Sequence, residues 1–193
     1  MLAGIIFLVI FVFIIFIFVS AYNRLISLKG QTDNAWKQID VQLKRRHDLI
    51  PNLINAAKGA MQFEKETLEA VVAARNSAVT AAASSTPATA GQVAAAEGVL
   101  SAALTRFMAV VEAYPDLKAT GNIGQLQEEL SSTENKVAFA RQAYNDTATL
   151  YNITQRQFPT LLVAGMTGAS QAQLWEIADE ADRAVPTVNL TMN

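Results

Sequence analysis

Residues 2–21 read LAGIIFLVIFVFIIFIFVSA, and residues 22–57 continue as YNRLISLKGQTDNAWKQIDVQLKRRHDLIPNLINAA. From Leu2 to Val19 the first stretch carries no polar side chain. About 20 helical residues at ~1.5 Å each cover the ~30 Å of a bilayer core. One membrane-spanning helix is therefore predicted, with Leu2, Ile5, Phe11, Phe16 and Val19 among its spanning residues. Beyond Tyr22, the apolar positions Leu25, Leu28, Ala35, Ile39, Leu43, Ile50, Leu53 and Ala57 recur in steps of three and four, with gaps at Thr32 and Arg46. That is the stripe of a long packed helix. Only Gly30 interrupts the passage from one stretch to the other, so a single continuous rod is expected. Pro51, which has no N–H to donate, is expected to kink or break it.

The small residues Val19, Ser20 and Ala21 would also suit a signal peptidase. No basic residue precedes the apolar run, however, and the run has the full length of a span, so an uncleaved anchor is expected. Arg24, Lys29 and Lys37 follow it closely. By the positive-inside rule this predicts a single-pass protein of the cell membrane, N-terminus outside and helical domain in the cytoplasm.

Working outward, helical periodicity resumes through Met61, Leu68 and Val71 as far as about Ala83, and residues 84–91 (SSTPATAG) read as a loop with disorder expected there. Val93, Leu100, Leu104, Phe107, Val111 and Tyr114 mark a second antiparallel helix, stopped by Pro115. Asn122, with Gln125 three residues on, is placed to cap the next. That helix runs Leu126, Leu130, Thr133, Val137, Ala140, Tyr144, Thr147, Tyr151, Thr154, Phe158, a 3.5-residue period suited to left-handed bundle packing. After Pro159 comes an apolar, glycine-bearing run to Ala169, too short to span a membrane and read as a C-terminal cap that touches a neighbour or the membrane. Ser170 with Gln173 then forms the capping-box pattern for a short helix to about Ala184. The predicted fold is all-α: a transmembrane helix over 1–21, continuous with an antiparallel helical bundle over 22–159, and a C-terminal apolar segment with a capping helix over 160–193.

Composition narrows the function. A net charge of −2 over 193 residues, with no aromatic-studded basic patch, argues against nucleic acid as a partner. The absence of cysteine removes disulfides, thiolate metal sites and cysteine nucleophiles. His47 is the sole histidine. The paired Glu-x-x-His motifs of a carboxylate-bridged metal centre cannot be assembled from it, and no cofactor motif is present.

Four segments together carry a family resemblance: 36–59 (WKQIDVQLKRRHDLIPNLINAAKG), 63–75 (FEKETLEAVVAAR), 112–119 (EAYPDLKA) and 126–152 (LQEELSSTENKVAFARQAYNDTATLYN). In this order, with the apolar anchor and the Phe158-Pro159 and Val185-Pro186 pairs, the chain closely resembles the LemA family. It departs from the family pattern around Pro87 and at Ala169, where an aromatic residue is usual. The resemblance implies a membrane-anchored antiparallel helical bundle and brings no enzymatic activity with it.

The densest polar feature is Lys44, Arg45, Arg46, His47 and Asp48. On a straight rod Lys44 lies roughly 35 Å from the bilayer, several Debye lengths away, which disfavours a lipid-headgroup role. The expected role is structural, with Arg45 or Arg46 pairing across the bundle to Glu128, Glu129 or Glu134. His47 and Asp48 point about 100° apart on a helix and cannot form a catalytic pair. Tyr144, Tyr151 and Phe158 at seven-residue spacing could line a ligand groove, but are expected in the core or a helix–helix interface. The sequons at Asn145, Asn152 and Asn189 are expected to be fortuitous, the first two lying on a helix.

The reading that results is a non-enzymatic, membrane-anchored structural protein without cofactor, a homo-oligomer that organises or shapes the bilayer. A second apolar line through Ile26, Trp36 and Leu43 is expected to form the oligomer interface, the alternative being that the C-terminal region of the same chain covers both lines. The alternatives are a membrane-tethered adaptor that presents residues 161–166 and Trp175 to an unidentified protein, and a small-ligand-binding bundle.

Overall fold

The computed structural model describes residues 2–59, 61, 64–114 and 121–176. Over these residues the chain is all-α, without strands: α1 (Leu2–Ala57), α2 (Lys65–Ala83), α3 (Ala90–Val111), α4 (Gly121–Arg156) and α5 (Thr160–Ala164), with 3-10 turns at Pro87–Thr89 and Gly165–Thr167. Most of the expected C-terminal helix, the Val185-Pro186 pair and the sequon at Asn189 lie outside the described residues.

α1 is one helix of 56 residues, about 84 Å long at 1.5 Å per residue. No boundary falls at Ala21. From Leu2 to Ser20 every side chain but the half-buried Ile17 is exposed, Leu2, Ile5, Phe11, Phe16 and Val19 among them, and Ala21 is the first buried residue. The helix is long and apolar enough there to cross a membrane.

The expected break at Pro51 does not occur, and α1 continues to Ala57. Proline leaves the carbonyl four residues earlier without its helical donor. That carbonyl belongs to His47, and Arg75 on α2 fills the vacancy, its Nε donating to the His47 oxygen at 2.9 Å. The helix is thus carried through its proline by a side chain from its neighbour.

The four long helices run up, down, up and down. α4 lies antiparallel along α1, and α2 packs with α3 as a hairpin. The hairpin helices have 19 and 22 residues against 36 for α4. They therefore cover only the membrane-distal part of the α1–α4 pair and leave a two-helix stalk below. The core divides accordingly. Ile50, Leu53, Met61, Val71, Leu100 and Phe107 belong to a distal cluster, and Leu25, Trp36, Leu43, Tyr144, Tyr151 and Trp175 to a proximal one.

Three local expectations change. The 84–91 stretch is not all loop: Pro87–Thr89 forms a turn closed by Thr89 Oγ1, which accepts from the Thr86 amide at 3.0 Å, and α3 begins at Ala90. α4 starts at Gly121, so Asn122 lies inside its first turn and is not its cap. Phe158 falls beyond the end of α4 and is 79% exposed, so it does not extend the buried stripe of Tyr144 and Tyr151.

Because Arg75 serves a carbonyl that only proline leaves open, Arg75→Ala should cost about 1.5–3 kcal/mol, the range for a hydrogen bond from a charged donor. In a Pro51→Ala background, where the helix restores its own donor, the same change should cost measurably less. Denaturant midpoints of the four proteins in one detergent would show this coupling, and strict additivity would refute it.

Candidate functional site

Between the two apolar clusters lies a layer of buried charge. Arg46 on α1 donates from Nη1 to Glu97 Oε2 on α3 at 2.9 Å. From Nη2 it donates to Ser101 Oγ at 2.8 Å and to Glu134 Oε1 on α4 at 3.0 Å. The other oxygen of Glu97 lies 2.6 Å from His47 Nε2. With Arg75 held on the His47 carbonyl, this hub contacts all four long helices. The Arg46 and Glu97 side chains are each only 4% exposed.

Taking such a pair out of water costs several kcal/mol per ion, and only good geometry with extra hydrogen bonds compensates. Most of that requirement is met: both Glu97 oxygens and both terminal Arg46 nitrogens are engaged, while Arg46 Nε is buried without a partner.

Of the residues expected to form interhelix ion pairs, Arg46 and Glu134 meet. Arg45 is exposed, as is Glu128, and Glu129 is half-buried. Among the described residues Arg45, Glu128 and Glu129 form no ion pair. The helical phase explains the difference, because Arg46 falls on the inward stripe with Leu43 and Ile50 while Arg45 points out. Glu97 was missed in the sequence. Its signal was present: it is the only carboxylate of α3 and shares a face with Val93, Leu100 and Leu104.

A second constellation lies nearer the membrane. Residues 169–176 form no helix, in contrast to the capping-box expectation at Ser170 and Gln173. They run back along α4 as a strap. Asn152 accepts from the Ala172 amide at 3.0 Å and donates to its carbonyl at 2.8 Å. Asn145 does the same for Trp175, at 2.8 and 3.0 Å.

The match is geometric. Seven helical residues rise about 10.5 Å, and three extended residues cover about 10 Å, so two asparagines one heptad apart can pair with stations three residues apart on an extended chain. Gln173 is held from the other side: its amide donates to the Pro87 carbonyl at 2.8 Å, and its own carbonyl accepts from Tyr144 Oη at 2.6 Å. These bonds use the backbone groups that a helix would have used. Burial, and then the Asp33 carboxylate, push the Tyr144 phenol well above its ordinary pKa and keep it a neutral donor.

The strap also corrects the expected interface. Trp36 is 5% and Leu43 1% exposed within one chain. Trp36 packs edge-on against Tyr144, ring centroids 5.0 Å apart, and lies 6.0 Å from the ring of Trp175. Of the three residues assigned to an interface only Ile26 remains exposed. Trp36 is thus covered within the same chain, by Tyr144 of α4 and Trp175 of the strap. Trp175, expected in a partner-binding stretch, is itself buried, whereas Leu161, Leu162 and Met166 are exposed.

On the outer side of the hub, α1, α2 and the Pro87 turn enclose an open cleft of ≈ 610 Å³, lined by Asp33, Lys37, Asp40, Lys44, His47 and Arg75 among others. Both signs of charge are interspersed along it. Asp48 also lines it and is exposed, and the carboxylate bonded to His47 is that of Glu97.

Residues 35–190 match the LemA family. The chain belongs to the LemA family. It is similar to magnetosome protein MamQ 2 of Paramagnetospirillum magneticum, 24% identical over 189 residues that cover 88% of this chain and 70% of the relative. It is also similar to Protein LemA of Metamycoplasma hominis, 28% identical over 151 residues, covering 77% and 66%. A shorter match, 27% over 92 residues, joins 48% of the chain to 34% of MamQ from Magnetospirillum gryphiswaldense. The hub, both asparagines and the strap all lie inside the part matched to the LemA family, and most of the apolar end of α1 lies before it.

Two outcomes follow. Glu97→Leu should destabilise the bundle by about 3–5 kcal/mol, because Arg46 is left buried and unpaired. The double change Arg46→Met with Glu97→Leu should lose clearly less than that single change in the same denaturant titration. At the strap, Asn152→Ala should remove both bonds to Ala172 and weaken its docking by about 1–2 kcal/mol. Amide hydrogen exchange at Ala172 should then quicken roughly ten-fold, with the hub amides unchanged.

Proposed function

We propose that this LemA-family protein is a membrane-anchored structural protein that self-assembles and organises or shapes its membrane, with the helical domain on the cytoplasmic side. The carrying observation is that the anchor and the main structural member of the domain are the same helix. A tethered enzyme or adaptor works equally well on a flexible linker. A rod running without interruption from lipid to core fixes the height and tilt of the domain above the bilayer, and that matters where copies must register with one another.

Support for self-assembly comes from what the strap leaves uncovered. Phe139, Leu150 and Ile153 on α4, and Ile26 and Val41 on α1, are large, apolar and exposed. Phe139 and Ile153 are two heptads apart and lie on one line of α4. A row of such residues outside the membrane-spanning part is unusual for a chain that works alone. The relatives' names tie two of them to the magnetosome and specify no reaction. The basic residues Arg24, Lys29 and Lys37, close after the apolar run, support the cytoplasmic placement.

Extracted in mild detergent, the protein should run on size exclusion with light scattering at several times the protomer mass of 20.8 kDa. Phe139→Ser combined with Ile153→Ser should lower that mass with helicity retained. A well-folded species that is monomeric before any substitution would overturn the proposal.

A further inference from the structure

The chain descends α4, passes through α5 and turns back at Gly168, which adopts the left-handed conformation (φ 60°) suited to glycine. It then climbs as the strap. The corner between α4 and the strap is therefore the tip of a hairpin. Thr160 and Val163 fasten it to the bundle, being buried. On its outer side Phe158, Leu161, Leu162 and Met166 are all exposed, Phe158 by 79% and Met166 by 77%.

The height of this tip follows from the register of α1 and α4. Arg46 meets Glu134, and Trp36 meets Tyr144. In an antiparallel pair with equal rise, each residue further along α4 lies level with one residue earlier on α1. Arg156 is then level with Arg24, and Phe158 with Tyr22. α5, which follows Phe158 in the chain, packs on α1. Consistent with this, Ile17 is the one residue from Leu2 to Ser20 that is not exposed.

The two descending faces change character at the same level. On α1 the apolar span gives way to the exposed Arg24, and on α4 the exposed Arg156 is followed by Phe158 and the apolar tip. Arginines above an apolar wedge match the headgroup and acyl layers of a bilayer, the cation reaching the phosphates and the hydrocarbon side chains lying beneath.

We propose that the corner formed by Phe158, α5 and Met166 is a second membrane-contacting element, inserted into the same leaflet that α1 leaves at Tyr22. Lipid is the occupant because the corner continues the lipid-facing surface of α1 at the same height. Two contacts some distance apart fix the rotation of the domain about the membrane normal, which a single helix leaves free.

The cysteine-free chain allows a direct test. Single variants Leu162→Cys and Met166→Cys of the full-length protein are spin-labelled in phosphatidylcholine–phosphatidylglycerol vesicles, with Val19→Cys as the lipid reference and Val99→Cys as the aqueous one. Collisions with oxygen and with a polar nickel chelate are compared. Both corner sites should resemble Val19→Cys, with an oxygen-to-nickel ratio about ten-fold above that of Val99→Cys, since hydrocarbon excludes the polar chelate and admits oxygen. A ratio equal to that of Val99→Cys, with Val19→Cys in lipid, would overturn the membrane contact and leave the anchor intact. Protection from both reagents would place protein over the corner, a second copy being the obvious cover, and would overturn it equally. An aqueous ratio at Val19→Cys would remove the anchor and this contact together.

Discussion

The ion pair between Arg46 and Glu97 is the constraint on which the arrangement of the bundle depends. An apolar layer tolerates a helix slid by a turn, since one Leu or Ala replaces another at modest cost. A buried guanidinium does not, because every register but one leaves Arg46 or Glu97 without its counter-charge. The pair sits between the distal and proximal clusters and ties α1 to α3, while the second carboxylate, Glu134, brings in α4. Helices rich in alanine, as α3 is, have smooth surfaces that specify neighbours poorly. The hub supplies the specificity that their side chains lack.

From this fixed point the lengths of the helices determine the rest. With Arg46, Glu97 and Glu134 level, the short hairpin of α2 and α3 ends near the Pro87 turn, and α1 and α4 extend below it unaccompanied. Two helices cannot bury both faces of a stripe containing Leu25, Leu28 and Trp36. The third element of the stalk is the strap, extended because asparagine amides on α4 pair with its backbone. The bulk of Trp175 lies against Trp36 and takes the place of a third helix.

The helical parts of this fold were legible because they obey short-range rules. The apolar run of 2–19 and the three-and-four spacing from Leu25 to Ala57 specify one rod, and the heptads from Leu126 specify α4. Pro51 does not break the helix, and the carbonyl it leaves without a helical donor is taken up by Arg75, 24 positions away in sequence, a contact that no local rule announces. Ser170 and Gln173 fit a capping box locally, but Asn145 and Asn152 satisfy the same backbone groups from across the stalk, and a tertiary bond outweighs a local preference. The surplus apolar face at Trp36 was legible, and so were its two possible covers, a neighbouring copy or the C-terminal region of the same chain; the segment beside it, ending in Trp175, has no periodicity that would decide between them. Arg46 could be told from Arg45 by helical phase alone, and Glu97 by being a lone carboxylate on an apolar face.

The two halves of the domain are held by different kinds of contact, and this orders their resistance to opening. The distal half is closed by apolar packing of four helices and by the buried charge, so none of its helices can leave without uncovering Arg46 or Glu97. The proximal half depends on hydrogen bonds from partly buried amides to a segment of eight residues, each contributing on the order of 1 kcal/mol. Opening therefore begins at the strap and, in doing so, uncovers Trp36, Tyr144 and Leu25 without disturbing the hub. The face read from the sequence as intersubunit and found within one chain is thus the face with the least to hold it closed.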